Sequence, residues 1–140
     1  LIEVAGRIQS CARGGVVARL SGDEFGLIID GKQPEAGTAL AEKLAQTLSD
    51  EFVIDGKSVR TGVTTGISVF PHHGSDAASL LANSGAALFR AKQKSRGSIS
   101  IFAPEMDQQI RDRRVLHQDL SMAIRNGELS LYYQPQAASG

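Results

Sequence analysis

Apolar and polar positions in the first part of the chain follow a helical period, then a strand period, then a helical period again. Leu1 to about Ala12 and residues 35–49 carry apolar side chains three or four positions apart, which predicts two helices. Between them, two short apolar runs, Val16–Leu20 and Phe25–Ile29, flank the tetrapeptide Ser-Gly-Asp-Glu and predict a hairpin. The expected order is therefore helix, hairpin, helix.

The later part of the chain alternates in the same way. Asp55-Gly56 predicts the turn of a second hairpin, whose longer strand has apolar side chains at alternate positions and ends before Pro71. Four further elements are predicted: helices over residues 77–93 and 104–125, the latter ended by Asn126-Gly127, and strands over residues 98–102 and 129–133. The positions that share one face of each helix are Ile2, Ala5 and Ile8/Gln9; Leu40, Leu44 and Leu48; Leu81, Leu88 and Ala91; and Leu116, Leu120, Ala123 and Ile124, of which the last set is expected to be buried.

Helices that alternate with strands, some of them in hairpins, indicate an α/β fold of the α+β sandwich type, in which helices pack on a sheet. A long helix that leads into a lone strand near the end indicates a domain boundary. We expect the first domain to span residues 1–103, a helical linker to span residues 104–114, and a second domain to begin over residues 115–140.

Composition excludes several classes of protein. The chain has 140 residues, 41% of them apolar, which suits one modest domain with a core. Its 15 Lys and Arg balance 15 Asp and Glu, so capture of nucleic acid or of an anionic membrane by net charge is not expected. A single cysteine, Cys11, indicates a reducing compartment. Without a membrane-length apolar run or a secretory signal, we expect a cytoplasmic location, with a membrane tether left open for a longer parent protein.

Two adjacent carboxylates lie at the predicted tip of the first hairpin. Asp23 and Glu24 follow Ser21 and Gly22, and like charges side by side repel each other. A glycine allows a ligand to approach the backbone closely, and Mg²⁺ is commonly bound by one or two carboxylates together with substrate phosphates. The tip is therefore a candidate metal site, although a solvated polar turn is the more common meaning of such a tetrapeptide.

A basic run, "FRAKQKSRG" over residues 89–97, contains four cationic side chains and no acid. Lys92 and Arg96 are four positions apart and share a helix face if the helix persists that far. Bases for phosphates and acids for a metal are the two halves of a nucleoside-triphosphate site. The alternative is that basic residues at the end of a helix simply complement its dipole. We expect His72 and His73 to lie in an exposed loop. We expect Tyr132 and Tyr133 to be half-buried aromatic residues of a strand.

Three segments resemble one known family. "ARLSGDEF", residues 18–25, is similar to the signature of the GGDEF family, the diguanylate cyclases, and "ISVFPHHG" and "LFRAKQKSRG" resemble its later segments in the right order. Residues 1 to about 102 match the later part of such a domain. From about residue 115, "LHQDLSMAIRNGELSLYYQPQ" resembles the opening of an EAL domain, the cyclic-di-GMP phosphodiesterase module. The resemblance implies an N-terminally truncated, nucleotide-cyclase-like GGDEF fold with a central, mostly antiparallel sheet, from a bacterial GGDEF–EAL signalling protein.

The resemblance also implies roles for individual residues. The family condenses two GTP into cyclic di-GMP and releases pyrophosphate, with two domains meeting face to face as a homodimer. Asp23 matches the acid that holds Mg²⁺ (or Mn²⁺) and activates the attacking 3′-hydroxyl, and Glu24 matches a second metal-binding acid. Gly22 matches a glycine that lies against the nucleotide, while Lys92 and Arg96 match the pair that binds the terminal phosphates. The implied partners are GTP and cyclic di-GMP, with no nucleic acid and an unidentified upstream sensor.

Several positions depart from the family pattern. Ser21 replaces the first glycine of the signature, Gly85 stands where an aspartate is usual, and Gly97 stands where asparagine is frequent. Ala12 and Gly15 occupy the arginine and aspartate positions of the feedback-inhibition motif, so we expect no product inhibition through that site.

Two parts of the implied active sites are expected outside residues 1–140. A further metal-binding aspartate and the guanine-recognition groups belong before Leu1, and the EAL motif belongs after Gly140. We therefore expect this fragment alone to be inactive, and its parent to be a diguanylate cyclase or a dual enzyme. The rival hypothesis is a degenerate GGDEF domain that binds GTP, or dimerises, to regulate an EAL phosphodiesterase.

Overall fold

The computed structural model describes residues 1–54, 56–106, 122–128, 130 and 132. The chain divides into two compact units, Leu1–Asp107 and Gln108–Gly140. The helices and strands of the first unit are, in order, α1 (Ile2–Cys11), β1 (Val16–Ser21), β2 (Glu24–Ile28), α2 (Glu35–Ser49), β3 (Phe52–Ile54), β4 (Lys57–Val59), β5 (Thr65–Ile67), α3 (Ala77–Lys94) and β6 (Ile99–Ile101).

The first three predicted helices are confirmed, each to within two residues at either end. The start of α3 has a clear local cause. The side chain of Asp76 accepts a hydrogen bond from the Ser79 backbone N–H at 2.9 Å, and the Ser79 hydroxyl completes a capping box. These hydrogen bonds from Ser79 favour the charged carboxylate and lower the pKa of Asp76 below its usual value.

The main core cluster joins the first two helices to β3. It consists of Ile8, Leu44, Leu48 and Phe52, with half-buried apolar side chains from one face of the first hairpin packed against it. The stripe predicted for α2 is therefore confirmed. In α1, Ile8 is buried in this cluster, whereas Ile2 is 92% exposed.

The buried face of α3 agrees only in part with the predicted stripe, since Ala91 is buried and Leu88 is half-buried but Leu81 is not. Leu81 is 55% exposed, and the buried side chains of this helix are the small residues Ala86, Ala87 and Ala91. The reason lies in β5, because a Cβ on Gly66 would collide with the backbone of Ser84 and Leu88. The helix backbone therefore lies directly on the strand, and such a close approach favours small residues on the facing side of the helix.

The strands form three two-stranded sheets, and two of these are antiparallel: β1 with β2, and β3 with β4. The third sheet is the parallel pair β5 and β6. Gly66 of β5 faces α3, whereas the next residue, Ile67, packs near Gly37 of α2, so these two helices lie on opposite faces of the parallel pair. The α/β fold class is thus confirmed, but the expected continuous central sheet is divided into pairs among the described residues.

The prediction of one long strand before Pro71 is wrong. β4 ends at Val59, residues 60–64 have no regular structure, and β5 begins at Thr65. The two strands have different partners, since β4 pairs with β3 in a hairpin and β5 pairs with β6. The chain must cross from one pair to the other, which the alternating pattern of side chains does not reveal. The predicted hairpin turn is confirmed at Gly56, which has a φ of +74°, while Asp55 lies outside the described residues.

The last predicted elements fall largely outside the described residues. Residues 105–106 and 122–125 are helical, and residues 107–121, which include Leu116 and Leu120, are not described. The predicted helix end is confirmed, because Gly127 has a φ of +69° and the Glu128 N–H donates to the Ala123 carbonyl at 2.9 Å.

Two side-chain predictions in this last segment are wrong. Ile124 is 60% exposed, not buried, and Tyr132 is 91% exposed, not half-buried. Of the strand predicted over residues 129–133, the described residues 130 and 132 show no regular structure. In the described part of the chain, no helix has both the length and the apolar character needed to cross a membrane.

Candidate nucleotide site

The first hairpin brings its acidic tip into solvent, as predicted. Ser21 of β1 pairs with Glu24 of β2, so Gly22 and Asp23 form a two-residue loop. Gly22 has a φ of +45°, a left-handed conformation that tight hairpin loops require and that glycine adopts without strain. All four residues are exposed. The strands that carry the tip pair only with each other among the described residues, and so are not central strands of a larger sheet.

The tip is also held by an arginine that the sequence analysis did not single out. Arg19 donates two hydrogen bonds to the carbonyl oxygen of Gly22, from Nε at 3.0 Å and from Nη2 at 2.8 Å. The strand register is irregular between Arg19 and Ser21, directly before the loop. The Arg19 side chain thus adds two hydrogen bonds where the pairing of β1 with β2 is irregular. In the sequence, the feature that could have indicated this contact is a cationic side chain three residues before the loop glycine.

The basic end of α3 reaches the acidic tip. Lys92 Nζ lies 3.4 Å from Glu24 Oε1, although the two residues are 68 positions apart in sequence. Both side chains are about half exposed, and an ion pair in such a setting contributes at most about 1 kcal/mol to stability. The significance of the pair is therefore geometric: it brings one residue of the predicted metal site beside one residue of the predicted phosphate site.

Arg96 lies beyond the end of α3. The helix ends at Lys94, so the condition under which Lys92 and Arg96 would share a helix face is not met. Arg96 lies in the turn that follows, where the Gly97 N–H donates to Thr64 Oγ1 at 3.0 Å. The side chain of Arg96 is exposed and makes no hydrogen bond or ion pair with a described residue, and the same is true of the side chain of Asp23.

The carboxylates of the tip suit a metal that is shared with a substrate. Within the described part of the chain, no three or more His, Cys, Asp and Glu side chains are grouped so that they could hold a metal ion. The tip supplies two carboxylates, from Asp23 and Glu24, both exposed. Mg²⁺ is usually bound by one or two carboxylates, substrate phosphates and waters, so the donor set fits an ion that arrives with a phosphorylated ligand.

Of the histidine pair, His72 is exposed as expected, whereas His73 is part of the scaffold. His73 is half-buried, contrary to the expected exposure; its Nδ1 accepts a hydrogen bond from the Val69 N–H at 3.0 Å, and its ring meets Phe102 edge-on at 5.4 Å. Burial, and to a lesser extent the neighbouring His72, lower the pKa of His73. Nδ1 can accept this hydrogen bond only in the neutral imidazole, so a structural role explains the residue.

The positions that depart from the family pattern have different surroundings. Ser21 is exposed and lies within β1, so its backbone needs no glycine-specific conformation. Gly85 has open space around it. Ala12, in contrast, is buried, and a Cβ on Gly15 would lie 2.7 Å from the Ile28 carbonyl oxygen. Neither position thus has room for a larger side chain without rearrangement, and the absence of product inhibition through this site stays a prediction.

Comparison with known proteins identifies the family. The profile of the family described as "Diguanylate cyclase, GGDEF domain" matches residues 1–98, more than half of the chain. The chain belongs to the GGDEF family. The match covers the acidic tip, α3 and the turn that contains Arg96, so each residue of the candidate site lies within the GGDEF domain.

Relatives of this GGDEF domain are much longer proteins. An uncharacterised signalling protein of Caulobacter vibrioides is 41% identical over 140 residues, which are 98% of this chain and 17% of that protein. The bifunctional diguanylate cyclase/cyclic di-GMP phosphodiesterase MucR of Pseudomonas aeruginosa is 36% identical over 137 residues, which are 97% of this chain and 20% of MucR. The chain thus spans about a fifth of the length of these two relatives.

A solved structure supports the fold independently. The GGDEF domain of TpbB (YfiN) from Pseudomonas aeruginosa superposes with a TM-score of 0.73 at 28% identity, over 79% of this chain and 66% of that one. The α/β fold of this chain is therefore similar to that of a solved GGDEF domain.

Proposed function

We propose that this GGDEF domain is the GTP-binding and catalytic part of a diguanylate cyclase, which condenses two GTP into cyclic di-GMP. The observation that carries the proposal is the distance of 3.4 Å between Lys92 Nζ and Glu24 Oε1. A polyphosphate that contacts Lys92 would lie directly beside the carboxylates of the tip. Acids that hold a cation and bases that hold phosphates are then arranged around one ligand, as phosphoryl-group chemistry requires.

Each site residue has a role in this proposal. Asp23 and Glu24 would hold Mg²⁺ or Mn²⁺, and Asp23 would accept the proton of the attacking 3′-hydroxyl group. Lys92 and Arg96 would contact the terminal phosphates, and Gly22 would allow the nucleotide to approach the loop backbone. A divalent cation at the tip supplies positive charge that offsets both the repulsion between the carboxylates and the charge of the triphosphate.

The parent protein would act as a homodimer in a bacterial signalling pathway. Because the reaction joins two GTP molecules and each domain has one candidate site, two GGDEF domains must face each other. We propose that the GGDEF domain ends near residue 103, that residues 104–114 link it to an EAL domain, and that this second domain begins near residue 115. The division of the chain into units at Asp107 and Gln108 supports a boundary in this region. The sites would lie in the cytoplasm, where GTP is available.

A second candidate function is regulatory. Ser21 stands at a position where the family signature has glycine, which favours a domain that binds GTP without turning it over and controls an EAL phosphodiesterase. Ser21 is exposed, and no atom lies near the missing Cβ of Gly85. Neither departure therefore disturbs the packing of the protein itself. We therefore rank the cyclase first.

The deciding experiment uses the full-length parent protein. Purified wild type and Asp23→Asn are incubated with GTP and Mg²⁺, and the products are separated by chromatography. We expect cyclic di-GMP from the wild type and none from the variant, because a neutral amide is a poor metal ligand and a poor base. Since the side chain of Asp23 is exposed and makes no hydrogen bond or ion pair with a described residue, the melting temperature should not change. Full activity of Asp23→Asn would refute the catalytic assignment.

A further inference from the structure

We infer that Arg19 is a positioning residue for the proposed reaction: its guanidinium holds the Gly22–Asp23 loop in the conformation that binds metal and nucleotide. The inference rests on the proposed function. Its starting point is the fork of two hydrogen bonds, 3.0 Å and 2.8 Å long, from Arg19 Nε and Nη2 to the carbonyl oxygen of Gly22. A guanidinium has a rigid planar fork, so two donors on one oxygen fix that oxygen more firmly than a single flexible donor would.

The fork determines the orientation of the next peptide group. In a trans peptide the carbonyl and the following N–H point in opposite directions. With the Gly22 carbonyl turned toward Arg19, the N–H of Asp23 points to the other side of the loop, away from the guanidinium. The backbone donor and the side chain of Asp23 are then fixed relative to the strands. Gly22 needs this restraint most, because glycine has more backbone freedom than any other residue.

The second contact at the tip cannot serve this purpose during the reaction. Lys92 holds Glu24 at 3.4 Å, but both groups are proposed ligand contacts, Lys92 for phosphate and Glu24 for the cation. When the ligands bind, this ion pair must open or weaken. The Arg19 contact uses a backbone carbonyl for which the ligands have no need. Arg19 is therefore the side chain that can hold the loop both before and after GTP binds.

The position of Arg19 distinguishes this role from a direct contact with phosphate. Its guanidinium is already directed to the loop carbonyl from its own strand, and the strand ladder is irregular directly after it. A positioning role predicts a loss of turnover with a smaller loss of affinity, since a displacement of about 1 Å in a reacting group can cost about 100-fold in rate. A direct phosphate contact predicts a loss of affinity that another cation repairs.

The test compares Arg19→Gln, Arg19→Lys and the control Arg13→Gln in the full-length parent. Arg13 is also an exposed arginine near this hairpin, and it makes no hydrogen bond or ion pair with a described residue. We expect Arg19→Gln to lower kcat at least about tenfold while KM for GTP changes less than about threefold, and Arg19→Lys to recover only a small part of kcat. Arg13→Gln should match the wild type. Equal changes in kcat and KM, or full rescue by lysine, would overturn the inference.

A second measurement does not depend on catalysis. Hydrogen–deuterium exchange of the same proteins without ligand should show faster exchange in the peptide that contains residues 21–25 in Arg19→Gln, and unchanged exchange there in Arg13→Gln. The melting temperature and the exchange of α2 show whether the fold is intact, and Arg19→Lys serves as the test variant if Arg19→Gln does not fold. Unchanged exchange at the tip would overturn the inference even if the parent makes cyclic di-GMP. If exchange at the tip is faster in Arg19→Gln but the parent makes no cyclic di-GMP, the positioning role of Arg19 is supported and the proposed function is refuted.

Discussion

The guanidinium of Arg7 lies over the ring of Phe52, with Cζ 3.8 Å from the ring centroid. The same group donates hydrogen bonds to three carbonyl oxygens at the end of α2 and just beyond it, those of Thr47, Asp50 and Glu51. A cation at this position satisfies carbonyls that have no partner within the helix and complements the helix dipole. Arg7 therefore joins α1 to the end of α2 and covers the core residue Phe52.

The first prediction follows from these contacts. Arg7→Ala should lower the free energy of unfolding by about 2 kcal/mol, because it removes a cation–π contact and several charged hydrogen bonds at once. Urea denaturation followed by circular dichroism measures this change. Arg7→Lys should recover only part of it, since an ammonium group cannot reach all three carbonyls as a fork. Arg13→Ala is the matched control, and an equal loss in both alanine variants would contradict the specific role of Arg7.

The second prediction concerns pH and His73. Its Nδ1 accepts the Val69 N–H, and burial lowers its pKa below the ordinary value of 6.5. Between the folded pKa and 6.5, the unfolded chain binds more protons than the folded one, so stability rises with pH across this window and is complete above it. Acidification through about pH 6.5 should therefore destabilise the domain. His73→Asn keeps a hydrogen-bond acceptor that does not titrate, and should lose the His73 part of this slope, which urea denaturation at several pH values measures.

The third prediction uses two glycines of opposite character. Gly85 lies inside α3, is exposed and has no atom near its missing Cβ, so Gly85→Ala should stabilise the protein by about 1 kcal/mol through helix propensity. Gly66 lies in β5 against the backbone of α3, so Gly66→Ala should destabilise it by about 1–3 kcal/mol through overpacking. Thermal unfolding of both variants would measure the contrast. Stabilisation by both substitutions would mean that α3 does not lie on β5 as described.

Local structure could be predicted where its cause lies in neighbouring residues. The start of α3 follows from Asp76 and Ser79, and the hairpin tip follows from Gly22 between two apolar runs. The buried face of α3 could be predicted only in part, because Ala91 of the predicted stripe is buried but Leu81 is exposed. Apolar spacing favours Leu81, but Gly66 of another element allows α3 to approach so closely that small alanines form the contact. Which face is buried was decided by a residue that the helix sequence does not contain.

The candidate site was predictable in its parts but not in its assembly. The acids at the tip and the bases near the end of α3 are visible in sequence, yet only the folded chain brings Lys92 to 3.4 Å from Glu24. Lys92 and Arg96 do not lie on one helix, because the helix ends at Lys94. The hydrogen bonds from Arg19 to Gly22 also need the closed hairpin before they become apparent.

The fourth prediction concerns the serine in the signature. Ser21 is exposed in β1 and pairs with Glu24, while the positive φ of the turn belongs to Gly22. A side chain at position 21 therefore strains nothing in the protein, and we expect the wild-type parent to make cyclic di-GMP. Ser21→Gly should change its rate little, and should lower stability by about 0.5–1 kcal/mol because glycine weakens a strand. Product chromatography and thermal unfolding of the two proteins measure both effects.

The pair of Ser21→Gly and Asp23→Asn separates the two candidate functions. If the wild-type parent is inactive and Ser21→Gly is active, the serine side chain meets the nucleotide, not the protein, and our expectation for position 21 fails. If neither protein makes product but GTP binds and changes the rate of phosphodiesterase activity, the regulatory function replaces the cyclase. If the wild type is active and Asp23→Asn is not, the carboxylate at the tip is required, and Ser21 is a neutral departure from the family signature.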